Sequence, residues 1–219
     1  MKSMKNIVIL ISGSGSNMRA LVQHVQKNNW EAQGIARVAA VISNKADAGG
    51  LAFAREQGIE TRIINHREFE NRAAFDAQLQ QIIDSFNPDV VFLAGFMRIL
   101  TAELTTHYAR RMFNIHPSIL PGFKGLHTHA AALEAGIKIH GATVHGVTAE
   151  LDHGPIVLQS AVPVLANDTE DTLGARVLAT EHVIYPQVLD WWINGQLEWN
   201  DAGITVHDVA TQAHMSPLI

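Results

Sequence analysis

Two hydrophobic rhythms alternate along the chain. Short, solid apolar runs recur, and longer stretches between them bring apolar residues back every three or four positions. Runs of the first kind suit strands buried on both faces; stretches of the second suit amphipathic helices. The runs predict strands at 6–12, 38–43, 60–64, 89–94 and 112–115, with helices at 17–27, 47–57, 67–86 and 101–108. In the third helix Ala73, Ala74, Leu79, Ile82, Ile83 and Phe86 mark the buried stripe. This order predicts an α/β fold: a mostly parallel twisted sheet with helices on both faces.

Past residue 137 the rhythm changes. KIHGATVHGVTAELDHGPIVLQSAVPV alternates polar and apolar residues around a turn at Asp152-His153-Gly154-Pro155, as an antiparallel extension of the sheet would. Asn167, Asp168, Thr169, Glu170 and Asp171 then open a long helix with capping residues and first-turn acids. That helix is expected to kink at Pro186 and to end at Gly195. The last twenty residues lack a clear period. Residues 1–200 are therefore read as a single domain and 201–219 as a loose tail, with no repeat, linker or low-complexity segment.

Composition narrows the function classes. With 219 residues, 47% hydrophobic and 17% charged, the chain can bury a substantial core. A net charge of -5 leaves no basic footprint for nucleic acid or an anionic membrane, so a small-molecule partner is expected. Cysteine is absent, which excludes disulfides and thiolate chemistry and fits a reducing cytoplasm. The apolar core of the opening segment, Ile7 to Ile11, runs into glycines instead of a cleavage site, so it reads as a first strand and the protein as cytoplasmic. No segment approaches the ~20 apolar residues of a membrane span.

Three places carry candidate chemistry. Ser12-Gly13-Ser14-Gly15-Ser16-Asn17 lies where a strand hands over to a helix, and backbone amides there can hold an anion. A dinucleotide site would want a glycine where Met18 stands and an acid where Ser43-Asn44-Lys45 follows the second strand; a Walker loop would want Gly-Lys-Ser/Thr. A single-phosphate site remains, beside the plainer reading of a tight turn.

The second place is FNIHPSILPGFKG, residues 113–125, where Asn114 and His116 share one face at the carboxyl end of a strand. An uncharged amide donor beside an imidazole suits a carbonyl becoming an oxyanion, and Pro117 and Pro121 stiffen the loop. Taken alone, a satisfied structural histidine fits as well. Asp152 is the third candidate, either a carboxylate able to orient an imidazolium or a turn aspartate bonded to its own backbone. His127 and His129 invite a metal reading, but no second ligand cluster with zinc-like spacing completes it, and no metal is expected.

Taken in order, VILISGSGSN, VISNKADAGGLAFAREQGI, PDVVFLAGFMRIL, FNIHPSILPGFKGLHTHAAALEAG, HGATVHGVTAELDHGPIVLQ and ARVLATEHVIYP resemble the folate-dependent formyltransferases over roughly residues 5–200. Asn-x-His, Ser-x-Leu-Pro and Asp-x-Gly-Pro are shared across that family, and imply formyl transfer from 10-formyltetrahydrofolate or its hydrolysis. The Gly-Ser-Gly-Ser-Asn loop, Ala94-Gly95-Phe96-Met97-Arg98-Ile99-Leu100 and Gly125-Leu126-His127-Thr128-His129 point to the branch that formylates glycinamide ribonucleotide. Relatives that hydrolyse the folate carry an added amino-terminal domain, and those that formylate methionyl-tRNA a carboxy-terminal RNA-binding one.

The resemblance implies a Rossmann-like formyltransferase fold, with a phosphate-binding half at 1–110 and a catalytic and folate half at 111–200. It further implies that Gly15, Ser16 and Asn17 hold the substrate phosphate with Glu181 near the ribose and phosphate. Met97, Arg98, Ile99, Leu100 and Asn114 border the folate; Asn114, His116 and Asp152 carry the chemistry. Thr143 and His145 are expected to position a water or brace Asp152, with a packing role for His145 equally open. The folate is a cosubstrate, no cofactor is tightly bound, and a monomer or homodimer is expected. One departure stands out: Leu178, three positions before Glu181, replaces a polar side chain that would reach the phosphate.

Overall fold

A computed structural model of the protein describes residues 3–216. The chain divides into two units, Met1–Phe113 and Asn114–Ile219. In the first, the order along the chain is β1 (Lys5–Ile11), α1 (Ser16–Lys27), β2 (Ala36–Ser43), α2 (Gly49–Glu56), β3 (Glu60–Ile63), α3 (Arg72–Asp84), β4 (Val90–Leu93) and α4 (Ala102–His107). Its strands lie side by side as β4-β1-β2-β3, all parallel. At the centre, Ile9 of β1 pairs with Val41 of β2 on one side and Phe92 of β4 on the other. Ile7, Val8, Ile9, Leu10 and Ile11 have no exposed surface, and each such side chain contributes about 1.5–3 kcal/mol by leaving water. That solid apolar run delivers the polar Ser12-Gly13-Ser14-Gly15 segment to the carboxyl end of the central strand.

Strand and helix positions match the sequence reading closely, with one break. The stretch expected to be a single helix at 67–86 divides into a 3-10 turn, His66–Glu68, and α3. Two asparagines cause the division. Asn65 accepts the Arg67 amide and Asn71 accepts the Ala74 amide, so each starts a new helical segment by satisfying an orphan donor.

The second unit contains the end of β5 (Met112–His116), then α5 (Thr128–Glu134), β6 (Ile139–Gly146), β7 (Ile156–Pro163), α6 (Glu170–Ile193), β8 (Leu197–Asn200), β9 (Gly203–Val206) and β10 (Ala213–Met215). Here the strand order is β5-β6-β7-β10, with β8 and β9 a separate antiparallel pair. β6 and β7 are antiparallel, placing Thr143 opposite Gln159, while β10 runs parallel to β7. The fold is thus α/β and mostly parallel, with the expected antiparallel extension.

α6 opens with a reciprocal cap between Thr169 and Thr172 and runs unbroken through Pro186, whose missing N–H leaves one rung of the ladder unmade. Neither α5 nor the strands near the carboxyl end are foreseen by the sequence pattern. Each is seven residues or fewer, too short for a period to show itself, and the strands are held by their partners. The stretch read as a loose tail accordingly contains β9 and β10; residues 217–219 lie outside the described ones.

Candidate active site

The loop after β1 is built around two facing glycines. Gly15 has φ 72°, a left-handed conformation that glycine adopts without strain, and it caps α1 directly. A Cβ on Gly15 would lie 3.0 Å from Gly50 Cα and 2.9 Å from the Met18 methyl. Across the same contact the Gly50 amide donates to the Gly13 carbonyl at 3.1 Å. Ser16 and Asn17 form the first turn of α1, whose amides and dipole present partial positive charge to an anion.

Ser12 joins this loop to a second one. Its hydroxyl accepts the Met97 amide at 2.8 Å and donates to Asn44 Oδ1 at 2.5 Å. Of the five residues assigned by resemblance to the folate border, Met97 and Ile99 are 61% and 50% exposed, Arg98 and Asn114 are half-buried and Leu100 is buried.

Within the second unit, β5 and β6 set the remaining candidates together. Asn114 Nδ2 lies 3.2 Å from His145 Nε2, and His145 Nδ1 lies 2.8 Å from the Gly146 carbonyl. A carbonyl only accepts, so Nδ1 carries the hydrogen and Nε2 is left to accept from the Asn114 amide. Burial holds the His145 imidazole below its ordinary pKa, outweighing the Gly146 carbonyl and the Asp152 carboxylate that favour its charged form. His145 is therefore a neutral acceptor that fixes which way the Asn114 amide points.

His116 has the opposite surroundings. Nε2 donates to the Phe123 carbonyl at 2.9 Å, and Nδ1 is 3.5 Å from Asp152 Oδ2. A carbonyl only accepts, so Nε2 carries a hydrogen toward Phe123, while the Asp152 carboxylate faces Nδ1 at ion-pair distance. Asp152, 8% exposed, has φ 48° and also accepts the Gly125 amide at 2.9 Å; His145 Nε2 stands 3.9 Å from its other oxygen.

The loop between His116 and α5 is tied at several points. Thr143 donates to the Ser118 carbonyl at 2.7 Å and accepts the Leu120 amide at 3.0 Å, while Gln159 donates to the Leu120 carbonyl at 2.8 Å. Ser118 donates to the Gly122 carbonyl, and Thr128 to the Pro117 carbonyl. Thr143 thus braces the loop that carries Phe123 and Gly125. A further brace comes from β8. Gly146 has no side chain because the Trp199 indole occupies the space where its Cβ would be.

Glu181 lies buried on α6, and Leu178 is half-buried one turn earlier. His129 Nδ1 lies 3.2 Å from His140 Nε2, and burial pushes the His140 pKa down to about 4. Among the described residues no group of three or more His, Cys, Asp or Glu side chains is placed to hold a metal ion, and no helix is long and apolar enough to cross a membrane. Sequence reasoning missed the Phe123 carbonyl, the Gly125 amide, Gly50 and Trp199. Of these, only the Gly49-Gly50 pair left a visible mark in the sequence.

The formyl transferase family pattern matches residues 5–189. Phosphoribosylglycinamide formyltransferase of Escherichia coli (strain K12) is 51% identical over 196 residues, covering 90% of this chain and 91% of that protein. The trifunctional purine biosynthetic protein adenosine-3 of Homo sapiens is 43% identical over 92% of this chain, which spans 20% of its length. Among solved structures, phosphoribosylglycinamide formyltransferase from Coxiella burnetii superposes with a TM-score of 0.88 at 43% identity, covering 98% of this chain and all of that one. With a family match across most of its length and a half-identical relative of nearly equal extent, the chain belongs to the formyl transferase family.

Proposed function

We propose that the protein transfers the formyl group of 10-formyltetrahydrofolate to the amine of glycinamide ribonucleotide, giving formylglycinamide ribonucleotide and tetrahydrofolate in purine biosynthesis. The observation that carries this reading is the pairing of an oriented neutral amide, Asn114 on His145, with a histidine held against a carboxylate, His116 on Asp152. Two relatives named for this reaction, at 51% and 43% identity, support the choice of substrates.

The neutral amine attacks the formyl carbon, forming a C–N bond and a tetrahedral intermediate with an oxyanion. Asn114 spends one amide hydrogen on His145 and keeps the second for that oxygen. Such donors contribute about 3–4 kcal/mol where they have been removed from oxyanion sites. Protonated His116, held against Asp152, stabilises the same negative charge through its field. Asp152 takes the proton released by the attacking nitrogen through a water and passes it to the folate nitrogen as that C–N bond breaks, so the protein ends as it began. Gly15, Ser16 and Asn17 hold the phosphate, with Glu181 on the ribose side; this fixes the amine without joining the chemistry and lowers the entropic cost of a two-substrate reaction. Leu178 leaves the phosphate with one polar contact fewer. No metal or tightly bound cofactor enters the scheme.

The test is to mix the protein with 10-formyltetrahydrofolate, with and without glycinamide ribonucleotide, and follow folate absorbance. Consumption is expected only when the ribonucleotide is present. Equal consumption without it would mean water is the acceptor, and none in either case would leave a binding protein.

A further inference from the structure

Segment 96–101 has no regular secondary structure, yet both of its ends are pinned by side chains. At one end the Met97 amide donates to the Ser12 hydroxyl at 2.8 Å. That hydroxyl is itself fixed by Asn44, whose amide lies 3.3 Å from His66 Nδ1. At the other end the Thr101 amide donates to Asp76 Oδ2 at 2.6 Å, and the Thr101 hydroxyl goes on to cap α4. Ser12 and Asp76 are 4% and 2% exposed, whereas Met97 and Ile99 between the pins stand largely in solvent.

Asp76 is the more telling of the two anchors. Its second oxygen, Oδ1, is buried without a hydrogen-bond partner, and so is Nε of Arg98, whose guanidinium sits 5.9 Å from the centre of the Phe75 ring. Burial raises the Asp76 pKa, with the Thr101 contacts, Arg72 and Arg98 acting the other way. A half-satisfied buried carboxylate opposes folding, and an apolar side chain at that position of α3 would serve stability better. Its presence is explained by what it holds.

We propose that Ser12 and Asp76 are positioning residues for folate binding, clamping the two ends of segment 97–101 so that Met97 and Ile99 meet the flat ring of the donor. This rests on the folate reading of that segment given above. The two clamps differ in reach. Asp76 hydrogen-bonds the folate-border segment at Thr101, whereas Ser12 is continuous with the glycine loop assigned to the phosphate. Loss of Asp76 therefore weakens the folate alone, and loss of Ser12 weakens both substrates.

The experiment measures the Kd of tetrahydrofolate by calorimetry, together with both KM values and the Tm, for Asp76→Ala, Asp76→Asn, Ser12→Ala and Ser12→Thr. Asp76→Ala is expected to raise the Kd about tenfold or more, the scale of one hydrogen bond to a charged group, with the ribonucleotide KM unchanged. Asp76→Asn, which keeps an acceptor for the Thr101 amide, restores most of the affinity. Ser12→Ala raises both KM values, and Ser12→Thr rescues them. A lower Tm with an unchanged tetrahydrofolate Kd in Asp76→Ala overturns the clamp, as does an equal loss in Asp76→Asn. Calorimetry needs no turnover, so a wild type that binds tetrahydrofolate but transfers nothing would sink the proposed reaction while leaving the clamp to be judged on Kd.

Discussion

Replacing Gly15 by alanine tests the glycine loop, and the cost follows from what surrounds the residue. Alanine at φ 72° pays the left-handed penalty of about 1–2 kcal/mol. The new Cβ would also lie 2.9 Å from the Met18 methyl and 3.0 Å from Gly50 Cα. The methyl is the end of a flexible side chain and can swing aside, but the Gly50 backbone cannot, so overpacking adds about 1–3 kcal/mol. A combined loss of about 2–5 kcal/mol corresponds to a Tm roughly 4–20 °C lower for a chain of this size. Gly13→Ala is the internal control. Nothing lies within 4 Å of its Cβ position and its φ is not left-handed, so its stability should stay within about 0.5 kcal/mol of wild type. Calorimetric scanning gives the two Tm values, and steady-state kinetics gives the KM for glycinamide ribonucleotide, which Gly15→Ala should raise by moving the α1 amides. A Gly15→Ala protein with wild-type Tm and KM would refute both the strain argument and the phosphate assignment.

His145→Leu comes close in volume but removes the acceptor for Asn114, so kcat should fall about tenfold with both KM values little changed; an unaltered kcat would return His145 to a packing role. Arg176, bonded to Asp168 at 2.7 Å, holds that carboxyl well below the usual carboxylate range. The resulting stability is present above about pH 4 and disappears as pH falls through the lower folded value. Urea unfolding should show Asp168→Asn less stable than wild type at pH 7, with the gap closing in strong acid. His140 works in the opposite proton balance: its pKa drops from 6.5 to about 4 on folding, first through burial and then through His129. The unfolded chain binds this proton more readily, so stability should decline as pH falls from 6.5 toward 4, and His140→Phe should flatten that decline.

Much of the first unit was legible because solid apolar runs such as Ile7 to Ile11 admit few other placements. Asn114 and His116 were legible for a related reason, since residues two apart at a strand's end share a face, and the Asp152 turn advertised itself through Gly154-Pro155. What escaped lacked a sequence letter of its own. The Phe123 carbonyl and Gly125 amide that flank His116 and Asp152 are backbone groups any residue could supply. Asp76 was hidden differently: an acid in an amphipathic helix reads as part of the wet face, and only its 2% exposure and its bond to Thr101 reveal the contrary. The split of the third helix was in principle readable from Asn65 and Asn71, but the apolar stripe across 73–86 masked it.

The contact between Gly146 and Trp199 sets a rule for substitution at two places over fifty positions apart in the chain. Any side chain at 146 needs the volume the indole holds, and a smaller residue at 199 leaves that volume empty beside the carbonyl that orients His145. Neither position can drift alone. Swapping in a side chain at 146 should be tolerated only with a simultaneous trimming of Trp199, and a library that varies both together should recover functional pairs that single-site libraries discard.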